Sequence, residues 1–300
     1  MKLSDIHIRD PFVLPVPSEQ RYYLYGTMGK YAWTESAVGF DCYMSADLQT
    51  WEGPYPIFRP PTDFWADRNF WAPEVHAYHG QYFLFASFKA EGICRGTQIL
   101  IAESPQGPFR LLSAGPVTPP DWECLDGTLF VTTDGHPWMV FCHEWVQVGD
   151  GEICALPLSE DLASAAGEPV MLFSASQAPW VQQIEWKRTG MKGCVTDGPW
   201  LHLLPNGELL MMWSSHGAGG YSIGLARSVS GQLLGPWLQD PRPLYSEDGG
   251  HCMTFRDFKG NIWLSFHHPD RNPTERPQFL LLAEDKLLSP RPIGLTGEVS

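Results

Sequence analysis

Five short segments of this chain each set an acidic or imidazole side chain beside Gly, Pro or Trp. They are Ile8-Arg9-Asp10-Pro11-Phe12, Phe70-Trp71-Ala72-Pro73-Glu74-Val75, Leu125-Asp126-Gly127-Thr128, Val195-Thr196-Asp197-Gly198-Pro199 and Gly249-Gly250-His251-Cys252-Met253. Strand-forming runs such as Tyr22-Tyr23-Leu24-Tyr25, Tyr82-Phe83-Leu84-Phe85 and Trp138-Met139-Val140-Phe141 follow them. Positions 10, 74, 126, 197 and 251 are separated by 64, 52, 71 and 54 residues. A four-stranded propeller blade takes about 40–50 residues, and loops account for the excess. The spacing suits an all-β domain, one over residues 1–300, built as a ring of propeller blades in which each delivers one such residue to a common axis.

The local signals agree with that ring. Candidate strands include Tyr22–Gly26, Cys42–Ser45, Val75–Tyr78, Tyr82–Phe88, Gln98–Ala102, Thr128–Val131 and Pro137–Cys142, then Trp200–Leu204, Glu208–Ser214, Ser222–Ala226, Met253–Arg256 and Ile262–Phe266. Turn dipeptides punctuate them at His79-Gly80, Asp134-Gly135, Asn206-Gly207 and Lys259-Gly260. With 27 prolines and 29 glycines, long helices are not expected. Three phrases, Tyr43–Gly53, Ala102–Phe109 and Ala226–Trp237, share the order small and apolar residues, Ser, turn, aromatic, as equivalent outer strands of successive blades would. The tail from Glu284 onward is expected to close the ring or trail over it.

Composition narrows the partners. The formal charge is −14, from 34 acidic and 20 basic side chains, and nothing forms a basic stripe, so neither nucleic acid nor an anionic membrane is an expected partner. The start has no apolar signal-peptide core, and no apolar run approaches the roughly 20 residues of a membrane span. Seven scattered cysteines without a Cys-x-x-Cys pair argue against a disulfide framework or structural zinc and for a reducing compartment. A cytoplasmic location is the expectation. The oligomeric state is left open.

Each motif alone is an ordinary turn dipeptide, and most such aspartates only cap a turn. As a set, in order and spacing, they resemble glycoside hydrolase family 43, a family of five-bladed β-propellers, over essentially the full chain. The resemblance rests on Arg9-Asp10-Pro11-Phe12, Trp71-Ala72-Pro73-Glu74-Val75, Leu125-Asp126-Gly127, Thr196-Asp197-Gly198-Pro199 and Gly249-Gly250-His251 with Met253-Thr254-Phe255-Arg256. It implies hydrolysis with inversion at the anomeric carbon by a carboxylate base and a carboxylic acid. Inverting enzymes hold the two about 6.5–9.5 Å apart, leaving room for the attacking water.

Carried over by motif, Asp10 would be the general base. Asp126 would raise the pKa of the acid and orient it, because one negative charge disfavours a second nearby. Asp197 stands where most of the family compared has glutamate as proton donor, and is one methylene shorter. Three readings stay open: Asp197 is the acid of a remodelled site, Glu144 or Glu185 donates instead, or catalysis is weak or lost. His251 resembles the family's axial histidine, which implies a possible structural calcium ion. A lone imidazole suits calcium poorly, so water would supply most of the shell. Cys252 stands where a glycine is frequent. Glu74 is expected to hydrogen-bond a sugar hydroxyl or brace the base, and Phe70 and Trp71 to wall the sugar pocket or pack in the core. Arg276 is expected to orient a carboxylate in the pocket. Loops Phe58–Asp67 and Ser174–Gly193 are expected to shape its rim.

The expected activity is that of an inverting exo-glycosidase removing terminal arabinofuranose or xylose from plant-polysaccharide oligosaccharides. Alternatives are an exo-β-1,3-galactosidase and a non-catalytic carbohydrate-binding propeller. Retention of both Asp10 and Asp126 argues against a mere binder, which needs no base.

Overall fold

The computed structural model describes residues 1–33, 37–186, 189–283 and 287. Four antiparallel strands in chain order, β1 (Ile8–Val16), β2 (Arg21–Met28), β3 (Phe40–Ser45) and β4 (Glu52–Phe58), form blade 1. Blade 2 holds β5 (Arg68–Tyr78), β6 (Gln81–Ala90), β7 (Ile93–Ala102) and β8 (Arg110–Leu111). Blade 3 holds β9 (Cys124–Val131), β10 (Pro137–His143), β11 (Glu152–Pro157) and β12 (Val170–Ser174), with the short helix α1 (Trp145–Val148) after β10. A separate hairpin of β13 (Ile184–Trp186) and β14 (Met191–Gly193) precedes blade 4. That blade is β15 (Asp197–Leu203), β16 (Leu209–Gly217), β17 (Gly220–Ser228) and β18 (Trp237–Gln239). Blade 5 has β19 (Gly250–Arg256), β20 (Ile262–His268) and β21 (Arg276–Leu282) among the described residues.

The innermost strands β1, β5, β9, β15 and β19 each touch the next around the circle, and β19 touches β1, so the five blades form a closed ring. Among the described residues, blades 5 and 1 are joined without a shared strand. The Ser265 hydroxyl donates to Pro11 O at 2.9 Å, Phe258 N–H to the Tyr22 hydroxyl at 2.8 Å and Asn272 Nδ2 to Gly29 O at 3.0 Å. Of the expected closing tail, only Leu287 belongs to the described residues. It is fully buried, and its carbonyl accepts from Arg227 at 2.9 Å.

The second strand of each blade is apolar on both faces, and the period of two explains why. In β16, Leu209, Met211 and Trp213 face blade 3, whereas Leu210 and Met212 face blade 5. In β10, Met139 and Phe141 face blade 2 while Val140 and Cys142 face blade 4. The core is therefore a set of layers between blades. Burying a side chain the size of Phe141 contributes about 1.5–3 kcal/mol.

The expected turns fall between the first and second strands of blades 2 to 5, with positive φ at Gly80, Gly135, Gly207 and Gly260. The three similar phrases fall between the third and fourth strands of blades 1, 2 and 4. All seven cysteines are unpaired.

Candidate active site

The innermost strands are not regular. Each carries a register shift near its N-terminal end: between Arg9 and Phe12, Trp71 and Glu74, Leu125 and Thr128, Asp197 and Trp200, and Gly250 and Met253. In each shift one residue adopts a left-handed backbone: Asp10 (φ 53°), Ala72 (46°), Asp126 (58°), Gly198 (49°) and His251 (52°). Such a bulge re-aims the strand and its side chains. Left-handed backbone costs roughly 1–2 kcal/mol for a residue with a Cβ, least for Asp, so the aspartates at two of these positions suit both chemistry and conformation.

The five bulges are held by one recurring device. The residue before each is paired with Thr27, Ser87, Cys142, Ser214 or His267 on its own blade's second strand. That side chain then serves the next blade. Ala72 N–H donates to Thr27 Oγ1 at 2.7 Å, Asp126 N–H to Ser87 Oγ at 2.9 Å, His251 N–H to Ser214 Oγ at 2.8 Å and Asp10 N–H to His267 Nδ1 at 3.3 Å. Cys142 breaks the series, since a thiol is a weak acceptor. The Gly198 N–H it would receive goes instead to Asp126 Oδ2 at 2.9 Å, which fixes that carboxylate.

Asp10, Asp126 and Asp197 thus meet at the axis around His251. The His251 Nδ1 lies 3.3 Å from Asp10 Oδ1 and 3.6 Å from Asp126 Oδ2. Burial opposes ionisation of Asp10, but His251, His267, Arg9 and a 2.5 Å bond from the Thr27 hydroxyl outweigh it and hold its pKa below the ordinary value. For Asp126, burial and the nearby Asp10 and Glu74 outweigh His251 and the Gly198 N–H, and its pKa is pushed up to about 6. Asp197 is raised well above the usual range, by burial first and then by the charge of Asp126, although the Tyr221 hydroxyl donates to its Oδ2 at 3.0 Å. His251 is raised, because the four surrounding carboxylates overcome its burial. His267 is lowered by burial and Arg9. It accepts from Asp10 N–H through Nδ1, so its Nε2 carries the proton toward Asp270 Oδ1 at 3.4 Å, and Asp270 in turn pairs with Arg9 at 2.7 Å.

Asp10, Asp126, Asp197, His251 and Asp270 line one cavity of about 600 Å3. Trp71, Glu144 and Glu185 line it as well, and the Ser174–Gly193 loop contributes Ile184, Glu185 and Trp186. Both expected reserve acids are tied elsewhere. Glu144 accepts from Arg95 Nε at 3.2 Å, and Glu185, half exposed, pairs with Lys192 at 3.2 Å. Glu74 is buried below the cavity, bonded to His76 Nε2 at 3.0 Å, and does not line it. For Phe70 the core alternative holds, and the expectation for Arg276 is overturned. Phe70 packs in the core with Phe40, Phe58, Phe64 and Phe88, since consecutive residues of β5 point to opposite sides and Trp71 takes the cavity side. Arg276 lies on β21, away from the axis, and binds the carbonyls of Ser4, Pro273 and Glu275. The Phe58–Asp67 loop supplies no lining residue. Sequence reasoning missed Thr27, His267, Asp270, Tyr221 and Arg95. The first two were detectable as polar residues ending otherwise apolar strands.

The donor set does not fit calcium. Calcium takes about six to eight oxygens, whereas no group of three or more His, Cys, Asp or Glu side chains with metal-holding spacing occurs among the described residues. The imidazole expected to bind it is held between Asp10 and Asp126.

The profile of glycosyl hydrolases family 43 matches residues 4–282. The structure of an endo-arabinase from Bacteroides thetaiotaomicron VPI-5482 superposes with a TM-score of 0.88 and 42% identity, covering 94% of this chain and 96% of that one. An endo-1,4-β-xylanase of the same organism gives 0.73 and 26%, with 93% and 91% covered. Extracellular endo-α-(1→5)-L-arabinanase 1 of Bacillus subtilis (strain 168) is 25% identical over 120 residues, 36% of this chain and 36% of the relative, so the match spans about a third of that relative's length.

Proposed function

This chain belongs to glycosyl hydrolase family 43, and from that premise we propose that it hydrolyses arabinofuranosyl linkages in arabinan-type chains with inversion. The observation that carries the reading is the convergence of three carboxylates from separate blades on one cavity, in surroundings that push their pKa values apart. His251, His267 and Arg9 hold the pKa of Asp10 below the ordinary value and favour its ionised form, while burial and the charge of Asp126 raise that of Asp197 and favour its protonated form. An inverting hydrolysis needs that pair of states.

Asp10 takes a proton from water as the water oxygen bonds to the anomeric carbon. The bond from that carbon to the leaving oxygen breaks as Asp197 delivers its proton there. Asp126, ionised above about pH 6, lies close enough to keep Asp197 protonated. The ion pair of Glu144 with Arg95 and that of Glu185 with Lys192 favour Asp197 over either glutamate as donor. Arabinose is preferred to xylose as the sugar because the 42% identical structure is that of an endo-arabinase.

The test is hydrolysis of aryl arabinofuranoside, xyloside and galactoside beside linear arabinan, with the product anomer read by NMR. Arabinoside turnover giving the inverted anomer, reduced about 10²–10⁴-fold in Asp10→Asn and in Asp197→Ala on arabinan, is the expected result. Preference for the xyloside or galactoside would replace the sugar assigned. Binding of arabino-oligosaccharides without turnover of any of them would make the protein a carbohydrate binder.

A further inference from the structure

The link from each blade to the next bulge follows one pattern at four of the five junctions. At three of them a hydroxyl on a second strand accepts the bulge N–H of the following blade, at 2.7 Å for Thr27, 2.9 Å for Ser87 and 2.8 Å for Ser214. His267 does the same through Nδ1 at 3.3 Å. Between blades 3 and 4 the position belongs to Cys142, which pairs with Leu125 as its counterparts pair with their own pre-bulge residues. This junction also carries the acid. The bulge N–H due here is that of Gly198, on the peptide that joins it to Asp197.

The Cys142 side chain is fully buried, in the apolar layer between blades 3 and 4 with Leu125, Val140 and Ile153. Burial, with Asp126 and Asp197 close by, holds the thiol proton well above the ordinary range, so the group beside the carboxylates is neutral. A neutral thiol accepts an N–H weakly, whereas a carboxylate accepts it strongly. The Gly198 N–H accordingly bonds Asp126 Oδ2 at 2.9 Å. That bond ties Asp126 to the peptide bearing Asp197, and it favours the ionised form of Asp126. The charged groups around Asp126 act in both directions. His251 favours its ionised form, Asp10 and Glu74 oppose it, and Asp197 is the group whose ionisation Asp126 itself opposes.

We propose that Cys142 is a positioning residue: its thiol withholds an acceptor from the Gly198 N–H, leaves that donor to the Asp126 carboxylate, and so fixes Asp126 against Asp197. This rests on the reading of Asp197 as the acid given above. A hydroxyl at position 142 would complete the series. The three hydroxyls at equivalent positions all capture their N–H, so Cys142→Ser, an exchange of one atom, is expected to draw the Gly198 N–H away from Asp126. Asp126 then loses a bond to its ionised form, and its pKa rises from about 6. Its carboxylate is also released to turn toward His251 Nδ1, 3.6 Å away. Cys142→Ala offers no acceptor and is expected to leave the Gly198 bond in place.

The experiment uses the full chain with aspartate carboxyls labelled with carbon-13, the Asp126 signal being identified by its loss in Asp126→Asn. Wild type, Cys142→Ser and Cys142→Ala are titrated by NMR. The Asp126 step is expected at about pH 6 in wild type and in the Ala variant, and about one pH unit higher in the Ser variant. Kinetics supply a second arm. On a linear arabino-oligosaccharide, whose leaving oxygen needs the acid, the Ser variant is expected to turn over about tenfold more slowly than the Ala variant per folded molecule. On an arabinofuranoside of a strongly acidic phenol, which needs little help from an acid, the two are expected to agree within about twofold. A merely structural role would lower both substrates alike and would not set Ser below Ala. If the Ser variant does not fold, Cys142→Thr supplies the same hydroxyl that Thr27 offers. An Asp126 step that stays put, an equal displacement in Ser and Ala, or equal oligosaccharide rates in the two would overturn this inference and leave the arabinofuranosyl reading standing. Absence of turnover of every arabinose-linked substrate by wild type would overturn that reading alone, and the carboxyl titration would then decide on Cys142.

Discussion

Asp10 and Asp197 both line the cavity at the axis, each only partly exposed, and their opposite proton preferences come from neighbours. Asp10 faces His251, His267, Arg9 and the Thr27 hydroxyl, whereas Asp197 faces Asp126 with one hydroxyl donor, Tyr221. The acid limb of kcat/KM therefore lies below the ordinary carboxylate value, and the alkaline limb belongs to the Asp126 and Asp197 pair, at or above about pH 6. The Tyr221 bond favours the ionised form of Asp197 and so lowers its pKa. Tyr221→Phe removes it, and the alkaline limb is expected to move to higher pH in a pH–rate profile. A limb that stays put or moves down would show that Asp197 is not the titrating acid. The same raised pKa values weaken the fold as pH rises. The stability linked to protonated Asp126 is complete below about pH 4, the unfolded value, and is lost as pH climbs through about 6.

At the scale of the strand, catalytic geometry depends on one bulge repeated five times. Asp10 and Asp126 occupy its left-handed position, but in β15 that position belongs to Gly198 and the carboxylate precedes it. Asp197 is consequently in register with Ser214 and reaches Tyr221, a different placement from the other two. Gly198 has no substitute there. A Cβ would stand 2.8 Å from two ring atoms of His251 and 3.1 Å from its Cα, with φ at 49°. Gly198→Ala is expected to destabilise the protein by about 2–4 kcal/mol, from left-handed strain plus overpacking, as read by denaturant unfolding. Activity should fall further than the folded fraction, because the His251 ring that bridges Asp10 and Asp126 must move.

The ring as a whole is closed partly by the active site itself. Blade 5 meets blade 1 through Arg9 with Asp270 and through His267 with Asp10, so closure and base activation share residues. Asp270 is mostly buried, and His267 and Arg9 hold its pKa far below the ordinary value against the effect of burial. Its contribution is present above about pH 4, where an unfolded aspartate is ionised, and is lost as pH falls through the folded value. Asp270→Asn leaves Arg9 without its partner and is expected to cost about 3 kcal/mol at neutral pH. Thermal melts should then show a smaller further loss on acidification below pH 4 than in wild type. An equal acid-induced loss in both proteins would assign that sensitivity to other carboxylates.

Five spaced motifs, Gly-bearing turns and apolar runs were enough to indicate the propeller, because each is a local rule: period two, turn chemistry and blade length. Asp10, Asp126, Asp197 and His251 were singled out by the resemblance of the five motifs taken together to the family, and the structure brings them together at the axis. Phe70 was left between pocket and core, and Arg276 was misplaced, because proximity to a motif in sequence says nothing about which face of a strand a side chain takes or how far from the axis its strand lies. Phe70 follows the alternation of β5 into the core, and Arg276 rides on the third strand of its blade. The proton states of the carboxylates were beyond the sequence. They depend on groups brought together from blades 1, 3, 4 and 5, such as Asp10 with His267 and Asp126 with Gly198. Residue types and spacing thus determined the fold and the acidic groups at its axis, while closure of the ring decided which of them keeps its proton, because Coulombic and desolvation effects act through space and not along the chain.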